Sequence, residues 1–229
     1  MGSGLLIAVD ELHAAPKSDL GILLNALQNI SHDYDSPPIA FVAAGLPAVR
    51  GILTAAATFG ERTAFIPIER LSSAATAIAL TAPANEVEVK FTPQALELIE
   101  VASFGYPYFV QLLGYNIWEV AKPTAGTTIT AEDAEAGVHR AQRAIRDLFE
   151  ARYDAATKSE KALMIALARS SGDLPARRLD VAAAMGKNTQ AISAVRSQLL
   201  GKAVITEPER GLIQFTIPGF ADFINDKVS

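Results

Sequence analysis

Two carboxylates stand side by side at the end of an apolar run: Leu5-Leu6-Ile7-Ala8-Val9 leads directly into Asp10-Glu11. Adjacent acids at a strand end can divide a hydrolytic task. One holds Mg2+ through water, and the other polarises the water that attacks a phosphoanhydride, as in nucleotide hydrolases. That chemistry gives Asp10 the metal and Glu11 the water; a bare acid pair also serves simply to end a strand or cap the next element. A second set lies near the C-terminus. Along 189–200, Ile192, Val195 and Leu199 face inward at helical spacing, which turns Thr189, Gln190, Ser193, Arg196 and Ser197 outward. Short polar side chains with one arginine suit hydrogen-bonded reading of a nucleic-acid groove, and Lys187, Lys202 and Arg210 suit phosphate contacts. Glu207 and Glu209 flank Arg210 and oppose it.

Other chemistries fail on composition and spacing. The 229 residues contain no cysteine, which removes disulfides, Cys-ligated zinc, iron–sulfur clusters and thiol nucleophiles together. The three histidines, His13, His32 and His139, show no metal-ligand spacing. No GxSxG turn is present, so serine-hydrolase chemistry has no support. Phe104, Tyr106, Tyr108, Phe109, Tyr115 and Trp118 fall near helical spacing without interleaved Arg or Lys, which predicts core rather than a base-stacking platform. Glu135, His139 and Arg143 share a helix face at four-residue intervals, a pattern that surface ion pairing explains. No apolar run approaches the ~20 residues that span a bilayer. Met1-Gly2-Ser3-Gly4 lacks the positive start of a signal peptide and reads as an artificial beginning. The expected location is the cytoplasm, with no membrane partner.

Half of the residues are hydrophobic and a fifth are charged, which is enough apolar material for a sizeable core. Net charge is −5, against wholesale polyanion binding. From Thr157 onward, however, ten basic residues stand against seven acidic ones, so this stretch carries +3 and residues 1–156 carry −8. An acidic body with a mildly basic tail is a two-part molecule.

The elements that must position these residues follow a rhythm. The run 5–9 suits a strand buried on both faces. A helix over 19–30 comes next, with Asp19 as N-cap and Leu20, Leu23, Leu24, Leu27 and Ile30 on one face. Ser36-Pro37-Pro38 breaks the chain, 39–44 is a second buried strand, Pro47 opens a helix over 48–57, and 64–68 is a third strand. This is the alternation of a parallel α/β sheet. Helices are then expected near 72–81, 93–103, 107–120 and 131–155, with Thr92 and Thr130 as caps and a loop over 122–126. Further helices are expected over 160–170, 179–185 and 189–200, the last closed by Gly201 as a C′ glycine. Strands over 203–206 and 212–217 make a hairpin with the polar tip 207–211. Helix, helix, turn, helix, hairpin is the order of a winged helix-turn-helix.

This order, from Leu5 to about Ile224, resembles the C-terminal part of an AAA+ ATPase of the bacterial and archaeal group related to origin-recognition and STAND-type ATPases. The residues that carry the resemblance are Leu5–Glu11 as a Walker B strand, Phe41-Val42-Ala43-Ala44-Gly45-Leu46-Pro47 as the next strand and turn, Glu61-Arg62-Thr63-Ala64-Phe65-Ile66-Pro67-Ile68, and the lid-like Gly105-Tyr106-Pro107-Tyr108-Phe109-Val110-Gln111. The resemblance implies ATP and Mg2+ as cofactors of an intact parent and places Arg62 near an arginine finger. The departures are as informative. No GxxxxGK[ST] cradle occurs, no polar sensor stands at Ala43-Ala44-Gly45, and the lid motif lacks a sensor arginine. The expectation is an N-terminally truncated AAA+-like chain in three parts. Residues 1–70 form a partial P-loop NTPase-type parallel sheet, 71–156 a helical lid and 157–229 the winged helix. By itself it binds ATP weakly or not at all. An exposed strand edge favours self-association, and the winged helix contacts DNA or a protein partner. The alternatives are a non-enzymatic nucleic-acid-binding or regulatory module and an assembly piece that docks protein.

Overall fold

A computed structural model of the protein describes residues 4–31, 38–46, 49–56 and 62–229. The expected roles of Pro47 as a helix opener and of Ser36-Pro37 as a chain break lie outside those residues, as do Met1 to Ser3, His32, Ala48, Ala57 and Glu61. The chain divides into two units, residues 1–67 with 197–206, and residues 68–196 with 207–229.

In the first unit, β1 (Leu5–Val9) and β2 (Ile39–Ala43) pair in parallel, with Leu5 opposite Ile39 and Val9 opposite Ala43. One 3-10 turn (Leu12–Ala14), α1 (Lys17–Ser31) and α2 (Val49–Ala56) accompany them. Leu20 and Leu24 of α1, Leu53 of α2 and Leu12 form a small core on which Val9, Phe41 and Phe65 pack. Helix α1 starts two residues before the expected cap, so Asp19 sits in its first turn, where a carboxylate favours the positive end of the helix.

Two expectations are corrected in this unit. The strands are not buried on both faces: Leu6 is 65% exposed and Val42 60%, because among the described residues the parallel sheet holds only β1 and β2. Nor do residues 64–68 form a strand. Pro67 removes a ladder donor, Ile68 is 91% exposed, and the segment is held by the Phe65 side chain, over which the Arg50 guanidinium sits 5.1 Å from the ring centre.

The second unit is mainly helical. Helices α3 (Ser73–Glu86), α4 (Pro93–Ser103), α5 (Pro107–Ala121) and α6 (Ala131–Asp154) surround Leu80, Ile99, Val110, Leu113, Ile117 and Ile129. Thr92 and Thr130 cap α4 and α6 as their spacing predicts. Each hydroxyl accepts a backbone N–H three residues on, and Asp133 closes a capping box. Helix α3 continues beyond the expected end to Glu86, with Pro83 inside it on an exposed position. Two-residue parallel strands β3 (Lys90–Phe91) and β4 (Thr128–Ile129), unforeseen in the sequence, tie the entrance of α4 to that of α6. Of the aromatics expected in the core, Phe109 is buried and Trp118 packs against the core of this unit. Phe104, Tyr108 and Tyr115 are exposed, since residues 108 and 115 share the outer face of α5.

The C-terminal elements are α7 (Lys158–Ser171), β5 (Ala176–Arg177), α8 (Arg178–Ala184), α9 (Ser193–Gly201), β6 (Ile205–Thr206), β7 (Leu212–Phe215) and α10 (Phe220–Val228). The expected hairpin is a three-stranded sheet in the order β5-β7-β6, with β5 antiparallel to β7. Helix α9 begins four residues later than expected, after a turn in which Asn188 Oδ1 accepts the Ala191 N–H. Gly201 is its last residue rather than a left-handed C′ glycine; the left-handed residue is Ala203, at φ 50°. Helix α10 was not expected, although Phe220, Phe223 and Ile224 carry a helical period. Phe149 of α6 meets Phe220 and Phe223 at ring-centre distances of 5.3 and 5.5 Å, and Phe220 meets Phe215 at 5.4 Å.

Helix α6 approaches α5 so closely that a Cβ on Gly137 would lie 2.3 Å from Ile117 Cγ1 and 2.5 Å from its Cα. Gly51 of α2 has nothing within 4 Å. The two glycines therefore respond in opposite senses. Gly137→Ala should destabilise the second unit by about 2 kcal/mol despite alanine's helix propensity. Gly51→Ala should stabilise the first by roughly 0.5–1 kcal/mol. Urea melts of both variants followed by circular dichroism check this; equal signs would contradict it.

Candidate functional site

The C-terminal ends of β1 and β2 are joined by backbone hydrogen bonds. The Ala44 N–H donates to Val9 C=O at 2.9 Å, and the Leu12 N–H donates to Ala44 C=O at 2.9 Å. Asp10 and Glu11 lie between these two bonds, at the edge where parallel α/β sheets place ligands. Glu11 takes a left-handed conformation (φ 53°, ψ 36°) that starts the 3-10 turn, a backbone state costing of order 1–3 kcal/mol for a non-glycine residue. Asp10 Oδ1 accepts the Glu11 N–H at 2.8 Å, and both acids are exposed.

His13, which the sequence offered only as one of three scattered histidines, is the residue that organises this edge. Its Nδ1 accepts the Leu46 N–H at 3.2 Å, and its Nε2 stands 3.3 Å from Glu11 Oε2. An acceptor Nδ1 leaves the ring proton of the neutral form on Nε2, which then donates to the Glu11 carboxylate. His13 thus links the turn after β2 to Glu11. Its place two residues after the acid pair was the available signal, but only folding brings Leu46 to it. Arg62 is exposed, and no carboxylate lies within ion-pair distance of it among the described residues. No cluster of three or more metal-ligating side chains occurs among the described residues.

In the C-terminal region, Lys187, Thr189 and Gln190 are exposed in the turn before α9, Ser193 and Ser197 are exposed on α9, and Lys202 and Arg210 are exposed beyond it. Ile192 and Leu199 are buried as their spacing requires. Arg196 differs from expectation. Its side chain is only 17% exposed, and Nη1 lies 2.6 Å from Glu207 Oε1. Arg178 Nη1 stands 3.7 Å from the same oxygen. On α6, Glu135, His139 and Arg143 are exposed without an ion pair among the described residues, and it is Arg140 that stands 4.0 Å from Glu119.

Comparison with solved structures finds chains of similar fold. A Walker-type ATPase of Pyrococcus abyssi matches with a TM-score of 0.60 over 97% of this chain at 15% identity. Two variants of RuvB from Thermotoga maritima match with TM-scores of 0.50 over 93% of the chain at 17% identity. The chain has an AAA+ ATPase-like fold. It spans 63% of the Pyrococcus protein and 68–69% of the RuvB variants. A family model described as a domain of unknown function, DUF8462, matches residues 146–224. That span runs from just before Phe149 to Ile224, the stretch in which α6, β7 and α10 share their aromatic core. No curated protein matches the sequence. No helix among the described residues is long and apolar enough to cross a membrane.

Within the AAA+-like fold, the His13 bridge makes a direct prediction. A long-range 15N–1H spectrum of the neutral imidazole should show His13 mainly as the Nε2–H tautomer, and His13→Ala should speed amide exchange at Leu46. A dominant Nδ1–H tautomer would refute the bridge.

Proposed function

We propose that this chain carries the Walker B acids of an AAA+-type ATPase and that its C-terminal region is a winged helix that contacts DNA. The observation that carries the first part is the parallel, in-register pair β1–β2, whose joined C-terminal ends present Asp10-Glu11 within an AAA+ ATPase-like fold. In this reading Asp10 faces Mg2+ through water, Glu11 polarises the attacking water, Arg62 acts on a neighbouring subunit's nucleotide, and the helices α3–α6 are the lid.

The residues present fit part of a nucleotide site. Asp10 Oδ1 already accepts one backbone N–H and retains acceptor capacity for a metal-bound water. A triphosphate also needs backbone N–H groups and a lysine converging on its phosphates, and the sequence holds no GxxxxGK[ST] segment to supply them. The chain by itself should therefore show no saturable, Mg2+-dependent ATP binding up to millimolar concentrations in isothermal titration; saturable binding would overturn this.

Exposed Lys187, Thr189, Gln190, Ser193, Ser197, Lys202 and Arg210 support the DNA reading. Fluorescence anisotropy of a labelled duplex across a salt series tests it. Binding should weaken steeply with salt, and Lys187→Ala and Arg210→Ala should each reduce the slope by about one. Absence of binding at low salt would leave the protein-docking reading. That second reading is favoured by the exposed Leu6 and Val42 on a sheet that holds two strands among the described residues, which also supports self-association. Light scattering that finds only a 24.3 kDa species counts against self-association.

A further inference from the structure

Three charged side chains converge at the base of the loop between β6 and β7. Arg178 is the first residue of α8, Arg196 lies in the first turn of α9, and Glu207 directly follows β6. The Arg178 N–H donates to Gly211 C=O at 2.9 Å, so the loop is anchored beside the arginine it covers. Gly211, at φ 92°, supplies the left-handed residue that this return requires. One carboxylate oxygen, Glu207 Oε1, serves both guanidinium groups, at 2.6 Å from Arg196 and 3.7 Å from Arg178.

The charge count at this point is unequal. Two fixed positive charges face one negative charge, and the neighbouring Asp180 is engaged 3.9 Å from Arg177 instead. Two guanidinium groups converging on a single oxygen form the donor arrangement that recognises a phosphate oxygen. Glu207 is one-third exposed, so the carboxylate occupies the solvent side while Arg196 lies deeper behind it.

We propose that Arg178 and Arg196 form a phosphate-accepting fork and that Glu207 fills it intramolecularly, so that a polyanion binds there by displacing the Glu207 carboxylate. This inference rests on the DNA reading for its natural ligand, and it adds Arg178 and Glu207 to the contact set. Arg196 then contributes through an exchange of anions rather than as an outward-facing reader. Glu207 sets the threshold: a ligand must compete with an anion tethered in place.

The test removes the internal anion. Glu207→Gln should tighten duplex binding in the anisotropy assay by roughly three- to tenfold at low salt, because the phosphate no longer has to displace a carboxylate. Glu209→Gln deletes the same formal charge from the loop without touching the fork and should change affinity less than about twofold. Adding Arg178→Ala to E207Q should abolish the gain. Inorganic pyrophosphate serves as an independent probe and should raise the melting temperature of E207Q more than that of E209Q. Equal gains from the two Gln variants would overturn the fork and leave the DNA reading standing. Pyrophosphate stabilisation specific to E207Q without duplex binding by any variant would uphold the fork and overturn the DNA reading, and neither response would overturn both. Should E207Q fail to fold, Glu207→Asp keeps the charge and withdraws it by one methylene. A smaller gain is then expected, and no gain overturns the fork.

Discussion

The larger unit depends on how closely α6 can lie on α5. With no side chain at Gly137, the two backbones meet at Ile117 at a separation that any Cβ would prevent. Helix α6 is 24 residues long, about 36 Å at the usual rise, so a displacement at Gly137 is carried along its length. Phe149 and Tyr153 lie three and more turns further on, where they enter the aromatic cluster with Phe220 and Phe223. One contact between backbones thus sets the position of the surface on which the C-terminal elements are built. Asp173 fixes the other side of that surface by accepting the N–H groups of Gly219 and Ala221, which have no intrahelical partner at the start of α10.

The acid pair is positioned by a different kind of constraint. A parallel sheet that holds two strands among the described residues, with apolar residues exposed, has little packing with which to hold a functional edge. Here the edge is held by hydrogen bonds instead, from Ala44 to Val9, from Leu12 to Ala44 and from Leu46 to the His13 ring. These bonds surround Asp10 and Glu11 on the chain, so the backbone carrying both acids is defined although the carboxylates face solvent. The left-handed Glu11 is the local consequence, since the chain must turn at once from strand to 3-10 turn.

Charge in the C-terminal region is less available than its formal excess indicates. Arg177, Arg178 and Arg196 each face a carboxylate, while Lys187 and Arg210 are exposed without an ion pair among the described residues. The reach of the basic tail toward a ligand therefore depends on which ion pairs that ligand can open. An exposed pair such as Arg177–Asp180 stabilises by little. A pair with a 17% exposed arginine holds its partner more firmly, because separating it strands a poorly solvated charge.

Elements with local signals were legible in the amino-acid chain alone. The apolar run 5–9, the threonine caps at Thr92 and Thr130, the inward Ile192 and Leu199, and the order of helices as far as α9 could all be read, because caps and periodicity act within a few residues. The AAA+-like order of elements was legible for the same reason, as a succession of such signals. Other features were settled by the folded chain. Residues 64–68 have strand-like composition but pair with no strand among the described residues, and Pro67 lacks a ladder donor. Arg196 has the spacing of an outward residue but is drawn to Glu207, eleven positions away along the chain. His13 acquires its role only when Leu46 arrives, thirty-three residues later in the chain. Hydrogen bonds and ion pairs between distant residues leave no period in a sequence, because which donor meets which acceptor is settled by packing.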